Sequence, residues 1–147
     1  MTTAHAPGKP LGYYLRHIDR MLEENFAALL ADHGLVRRSW QVINTISAGP
    51  VTLAELDRAH AHFLDDAEPT VAPQVTALVD RGVVAVDADG NHTLTSDGRS
   101  VYAAVSQLID AERAATIDGL GPDGYRVLIG MLQRIADNLD AIARERN

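Results

Sequence analysis

One short stretch breaks the rhythm of an otherwise helical sequence. Val83-Val84-Ala85-Val86 is a β-branched run, Asp87-Ala88-Asp89-Gly90-Asn91 is dense turn chemistry, and His92-Thr93-Leu94-Thr95 returns as a second strand. On both sides apolar residues recur at steps of three and four, the spacing of one helix face. A single hairpin among helices restricts the chain to a mainly α fold with one small β element.

Upstream, Leu11, Tyr14, Leu15, Ile18, Met21, Leu22, Phe26, Leu29 and Leu30 predict a long helix over Leu11–His33, with Gly34 as its stop. Arg37–Ser47 is a second helix carrying Trp40, Val42, Ile43 and Ile46, ended by Gly49-Pro50. Thr52 with Glu55 three residues on has capping-box spacing and starts a third, through Leu53 and Leu56. Residues Arg58 to Asp66 could prolong it or form a loop.

A fourth helix is expected over Thr70–Asp80. Pro69 and Pro73 are tolerable only near a helix start, where a missing N–H has no partner to lose. Val71, Val75 and Leu78 should face the core, and Arg81-Gly82 ends the helix. Beyond the hairpin, Thr95 or Ser96 caps a fifth helix of about Asp97–Thr116. After the break at Asp118-Gly119-Leu120-Gly121-Pro122, Asp123–Arg144 forms the last. Its stripe of Leu128, Met131, Leu132, Ile135, Leu139 and Ile142 approaches a heptad seam, which together with the long first helix reads as a dimer interface. Met1–Pro10, with Pro7, Gly8 and Pro10, reads as a flexible lead-in.

Composition excludes several functions. At 147 residues, 46% hydrophobic and 22% charged, the chain fits one globular domain. It has no cysteine, which removes disulfides, thiolate zinc sites and cysteine nucleophiles. No apolar run approaches the ~20 residues of a membrane helix, and no signal core is present, so a cytoplasmic location is the default. There is no Ser-His-Asp elbow, no glycine-rich phosphate loop and no His-Glu-x-x-His, so neither an enzyme nor a cofactor is expected. His60 and His62 lie two apart and on a helix would face apart. Two surface histidines are favoured over a metal site. The net charge of −7 means that a nucleic-acid binder must gather its positive charge on one face.

Three local signals, taken in order, resemble the MarR family of winged-helix transcription regulators. Ser39-Trp40-Gln41-Val42-Ile43 looks like the family's second helix. Leu53-Ala54-Glu55-Leu56, then Val71 to Leu78 and Arg81-Gly82-Val83-Val84, looks like its helix-turn-helix running into the first wing strand. Leu94-Thr95-Ser96-Asp97-Gly98-Arg99 looks like the second wing strand entering the fifth helix. The resemblance spans roughly Leu11 to Ile142. It implies one domain over 11–147, with a winged helix at about 35–95 between dimerisation helices at about 11–33 and 97–144. It also implies a homodimer on a palindromic operator of double-stranded DNA, often modulated by a small effector.

Aligned on Arg81-Gly82, the groove-facing positions fall near Thr70, Pro73, Gln74 and Ala77. Phosphate contacts could come from Arg37, Arg38, Arg58, Arg81 and Arg99. Two departures from the family pattern stand out. The segment 58–66 is longer than usual, and from Ala67 to Arg99 five acids (Glu68, Asp80, Asp87, Asp89, Asp97) face two bases. A winged-helix protein that has lost DNA binding, and senses a small molecule or docks a partner, is therefore the alternative. A pocket for a small aromatic effector would draw on Tyr13, Tyr14, His17 and Trp40, although core packing is the stronger reading for Trp40.

Overall fold

The computed structural model describes residues 8–147, so most of the expected lead-in, residues 1–7, lies outside the described residues. The elements run α1 (Leu11–Ala31), α2 (Arg37–Ser47), α3 (Leu53–Ala59), a 3-10 turn (Ala61–Phe63), α4 (Ala72–Asp80), β1 (Val84–Val86), β2 (His92–Leu94), α5 (Ser96–Thr116) and α6 (Gly124–Glu145). The mainly helical order with one hairpin is as expected. The chain divides into two compact units, one ending at Ile109 and one beginning at Asp110.

The first unit is built around α2, which packs against α1, α3, α4 and β2. Val42, Ile43 and Ile46 on its inner face are buried together with Leu30, Leu56, Val71 and Leu78. Trp40 joins this core and stacks on the Tyr102 ring at 5.6 Å. α3 starts where Thr52 Oγ1 accepts the Glu55 N–H, the expected cap.

The hairpin pairs Val84 with Leu94, Ala85 with Thr93 and Val86 with His92. Val51 adds a third short partner, exchanging both backbone hydrogen bonds with His92 at 2.7 and 3.2 Å. At the tip, Asp87 accepts the backbone N–H groups of Asn91 and Asp89, both at 2.9 Å. Those bonds, the one from Asn91 foremost, hold its carboxyl below the usual carboxylate range. The acidic wing tip is thus also the residue that folds the turn.

Thr95 caps α5 by accepting the Gly98 N–H, and its own N–H donates to the Val83 carbonyl. The first turn of α5 is thereby drawn against the strand at Gly98, which is buried.

In the second unit, α6 buries none of its residues in the single chain. Met131 is 61% exposed and Leu139 59%, with Leu128 and Ile142 also open. No helix of the described residues is long and apolar enough to cross a membrane.

Candidate nucleic-acid interface

Helix α4, the candidate reader, begins two residues later than expected, at Ala72, with Pro73 in its first turn. The cause lies on α3. The Asp57 carboxylate accepts the Thr70 hydroxyl at 2.9 Å and the Val71 N–H at 2.9 Å, and the Thr70 hydroxyl oxygen accepts the Ala72 N–H. Thr70 is therefore held in the turn before the helix, half-buried and bonded to Asp57, rather than on the helix face. At the other end Gly82, at φ +76°, lets the Val83 N–H fold back to the Leu78 carbonyl and stops the helix.

Val75 and Leu78 anchor α4 in the core, which leaves Pro73, Thr76, Ala77 and Asp80 exposed on the opposite face. Pro73 and Ala77 occupy that face as expected. Gln74 is half-buried at its edge, lining an open cleft of about 280 Å³ with Gly34, Val36, Ser39, Pro73, Ala77 and Arg81. Thr76 was missed by the sequence reading, although its spacing of three from Pro73 places both on one face. Asp80 brings a negative charge to the same face.

The arginines divide by what they already touch. Arg81 donates to the His33 and Gly34 carbonyls, tying the end of α4 to the turn after α1. Arg99 donates to the Leu94 carbonyl, and Arg37 pairs with Glu23 at 2.7 Å above the Phe26 ring. All three remain exposed. Arg58, exposed on the last turn of α3, makes no salt bridge or side-chain hydrogen bond among the described residues.

Arg38 is held most fully. Its Nη2 donates to the Phe63 carbonyl at 2.9 Å and meets Glu68 at 3.1 Å, with the guanidinium 5.9 Å from the Phe63 ring centre. Its Nη1 is buried without a hydrogen-bond partner in the protein.

The pairing of His60 and His62 as surface residues is corrected by the structure. His62 is exposed, but His60 is buried, because the chain turns inward after α3. His60 Nε2 lies 3.1 Å from Thr45 Oγ1, whose proton goes to the Gln41 carbonyl, so the imidazole is the donor. Burial, then the charges of Arg38 and His62, lower its pKa, against a smaller opposing pull from Asp57. The unfolded chain therefore binds this proton more readily than the folded one. The stabilising neutral state is intact above the ordinary histidine value of 6.5 and is lost as pH falls from there through the folded pKa. Urea unfolding should show stability falling with acidification below that value. His60→Gln, which keeps a donor but cannot titrate, should flatten this slope; an unchanged slope would assign it elsewhere.

The four residues considered for an effector site do not form one group. Tyr13 stacks on His17 at 5.9 Å and meets Tyr14 edge-on, all three exposed on α1, whereas Trp40 is in the core against Tyr102. No aromatic contact among the described residues joins the two sets.

No protein-family model matches the chain, and no curated protein matches it. Solved structures do. The Mycobacterium tuberculosis MarR family protein Rv2887 in complex with DNA is 27% identical, covering 87% of this chain and 98% of that one, with a TM-score of 0.64. The same protein with p-aminosalicylic acid superposes at 0.61, again 27% identical, over 87% of this chain and 99% of that one. The reduced form of MarR from E. coli is 19% identical over 88% and 95% of the two chains, at 0.64, a likeness of fold.

Proposed function

We infer that this chain, which has the winged-helix fold of the MarR-family regulators, is a DNA-binding transcription regulator acting as a homodimer on a palindromic operator. One observation carries the reading: α4 presents an exposed face beside a hairpin, within a fold that matches a DNA-bound protein along nearly its whole length. The apolar face left open on α1 and the one left open on α6 each offer a surface to a second copy. Two copies related by a two-fold axis would offer two reader helices to successive major grooves.

Within the interface, Thr76 and Gln74 are the polar groups able to meet base edges. Arg58, Arg37, Arg81 and Arg99 supply phosphate contacts. Asp80, Asp87 and Asp89 oppose them, so affinity should be modest and its salt dependence shallow. Operator selection from a random duplex library, repeated across salt concentrations, tests the reading. Enrichment of a palindrome is expected; no enriched sequence at low salt would overturn it. On the selected site, Gln74→Ala should change the preferred bases, while Arg58→Ala should weaken all sequences alike and reduce the salt slope by about one unit. Arg81 is a poorer probe because its removal also frees the turn after α1.

A small aromatic acid as effector is supported by the p-aminosalicylic acid complex of Rv2887. On this chain Tyr13, Tyr14 and His17 remain open to such a ligand, whereas Trp40 is occupied by core packing. A melting temperature unmoved by a panel of phenols and aromatic acids would remove the effector role.

The exposed acids favour a second reading, a docking face for a basic partner. A surface that retains basic proteins and releases them to competing DNA, with no DNA binding of its own, would select it.

A further inference from the structure

We propose that the segment Ala61–Glu68 masks Arg38, and that its release adds a phosphate-binding guanidinium to the interface. The proposal rests on the DNA-binding reading and supplies a regulatory element for it.

The segment is a strap between two anchors. At one end His60 is fixed to Thr45 on α2; at the other, Thr70 and Val71 are fixed to Asp57 on α3. Between them every residue but Leu64 is exposed; Leu64 packs partly buried against the core, so lifting the strap withdraws that one side chain and leaves α3 and α4 wound. Its own turn is shaped by Asp65, whose Oδ1 accepts the Ala67 and Glu68 N–H groups at 2.9 and 2.8 Å while its N–H donates to the Glu68 carbonyl. That ring fixes the backbone at Glu68, whose carboxylate meets Arg38.

The grip on Arg38 uses one nitrogen. Nη2 serves both the Phe63 carbonyl and Glu68, and Nη1 is left buried and unpaired. A phosphate accepts both arms of a guanidinium in parallel, a better match to its geometry than a carbonyl and a carboxylate sharing one nitrogen. The masked state is thus one that a phosphate can displace.

Position favours the same conclusion. Arg38 lines an open cleft of about 370 Å³ with Val36, Arg37, Gln41, Phe63 and Glu68. Val36 also lines the cleft beside the outer face of α4. The cleft that Arg38 lines therefore adjoins the one beside α4, and Glu68, which holds the guanidinium, lies four residues before that helix. Of the strap's three anions, Asp65, Asp66 and Glu68, Glu68 is the one that pairs with Arg38.

Glu68→Gln tests the mask, because Glu68 is exposed enough to change without harm to the core. Binding to a mixed-sequence DNA duplex is measured by fluorescence anisotropy across salt, with thermal melts to verify folding. Glu68→Gln should bind about tenfold more tightly at low salt, with a salt slope steeper by about one unit per chain. Arg38→Gln combined with Glu68→Gln should abolish the gain. Asp66→Asn, which removes the same charge away from Arg38, should give a much smaller gain. If the wild type binds and Glu68→Gln leaves affinity and slope unchanged, the mask is overturned and DNA binding stands. An equal gain in Asp66→Asn, or a gain that survives loss of Arg38, also overturns it, since bulk charge would then be the cause. If neither wild type nor Glu68→Gln retains the duplex, both the mask and the DNA-binding reading fall.

Discussion

Gly98→Ala should strongly destabilise the winged helix. A methyl group at that position would sit 2.0 Å from the Val83 carbonyl oxygen and 3.1 Å from its carbon, with Leu94 Cβ at 3.3 Å. The obstacle is backbone, so no side chain can swing aside. That carbonyl is also pinned by the Thr95 N–H at 3.0 Å, while the Thr95 hydroxyl donates to the adjoining Gly82 carbonyl. Relief requires α5 to move off β1, exposing Val83 and Val84, both buried, and loosening the cap. A cost of roughly 3–5 kcal/mol is expected, a large part of the ~5–15 kcal/mol that usually holds a domain together. Gly130→Ala on α6 is the matched control, with nothing within 4 Å of the added carbon. It should be neutral or stabilising by up to about 1 kcal/mol, from helix propensity alone. Chemical denaturation of the two variants distinguishes them, and equal midpoints would mean that α5 can shift without loss.

Met131→Glu combined with Leu139→Glu should convert the proposed homodimer to a monomer and weaken the proposed operator binding. Both side chains are about 60% exposed in the single chain, so charge there costs little in the isolated fold. Buried against a second copy, each would take an unpaired carboxylate out of water, at several kcal/mol apiece. Loss of the partner would also end simultaneous engagement of two half-sites, reducing operator affinity by at least about a hundredfold. Sedimentation velocity and anisotropy on the selected operator measure the two effects. A variant that remains dimeric would exclude this face of α6 as the interface. A monomer that keeps full affinity would exclude the two-half-site arrangement.

Local signals were the legible part of this protein. The bounds of α2, the Thr52 cap, the hairpin over Val84–Leu94 and the cap at Thr95 all follow from residues within a few positions of one another. Helix α4 starts two residues beyond the sequence expectation because the group that decides its start, Asp57, lies 13 residues before Thr70. His60 looked like a surface residue because its partner Thr45 is 15 residues away on another helix. In the sequence Gly98 stands only as part of the Leu94–Arg99 signal, since a glycine forced by close approach gives no sign until the backbone of Val83 is packed above it.

By its sequence alone the chain determines where its helices and strands begin, α4 excepted, and which residues share a face. Both depend on side-chain periodicity, capping and turn chemistry over a few residues. The tertiary structure decides which polar groups remain free to act. Arg38, Arg81 and Thr70 are equivalent in sequence as candidate contacts, yet each is bonded to a group that only packing brings within reach: Phe63 and Glu68, the His33 and Gly34 carbonyls, and Asp57. A hydrogen bond depends on distance in space and carries no period along the chain. The exposed face of α4 could be read from spacing, but the availability of its surrounding charges could not.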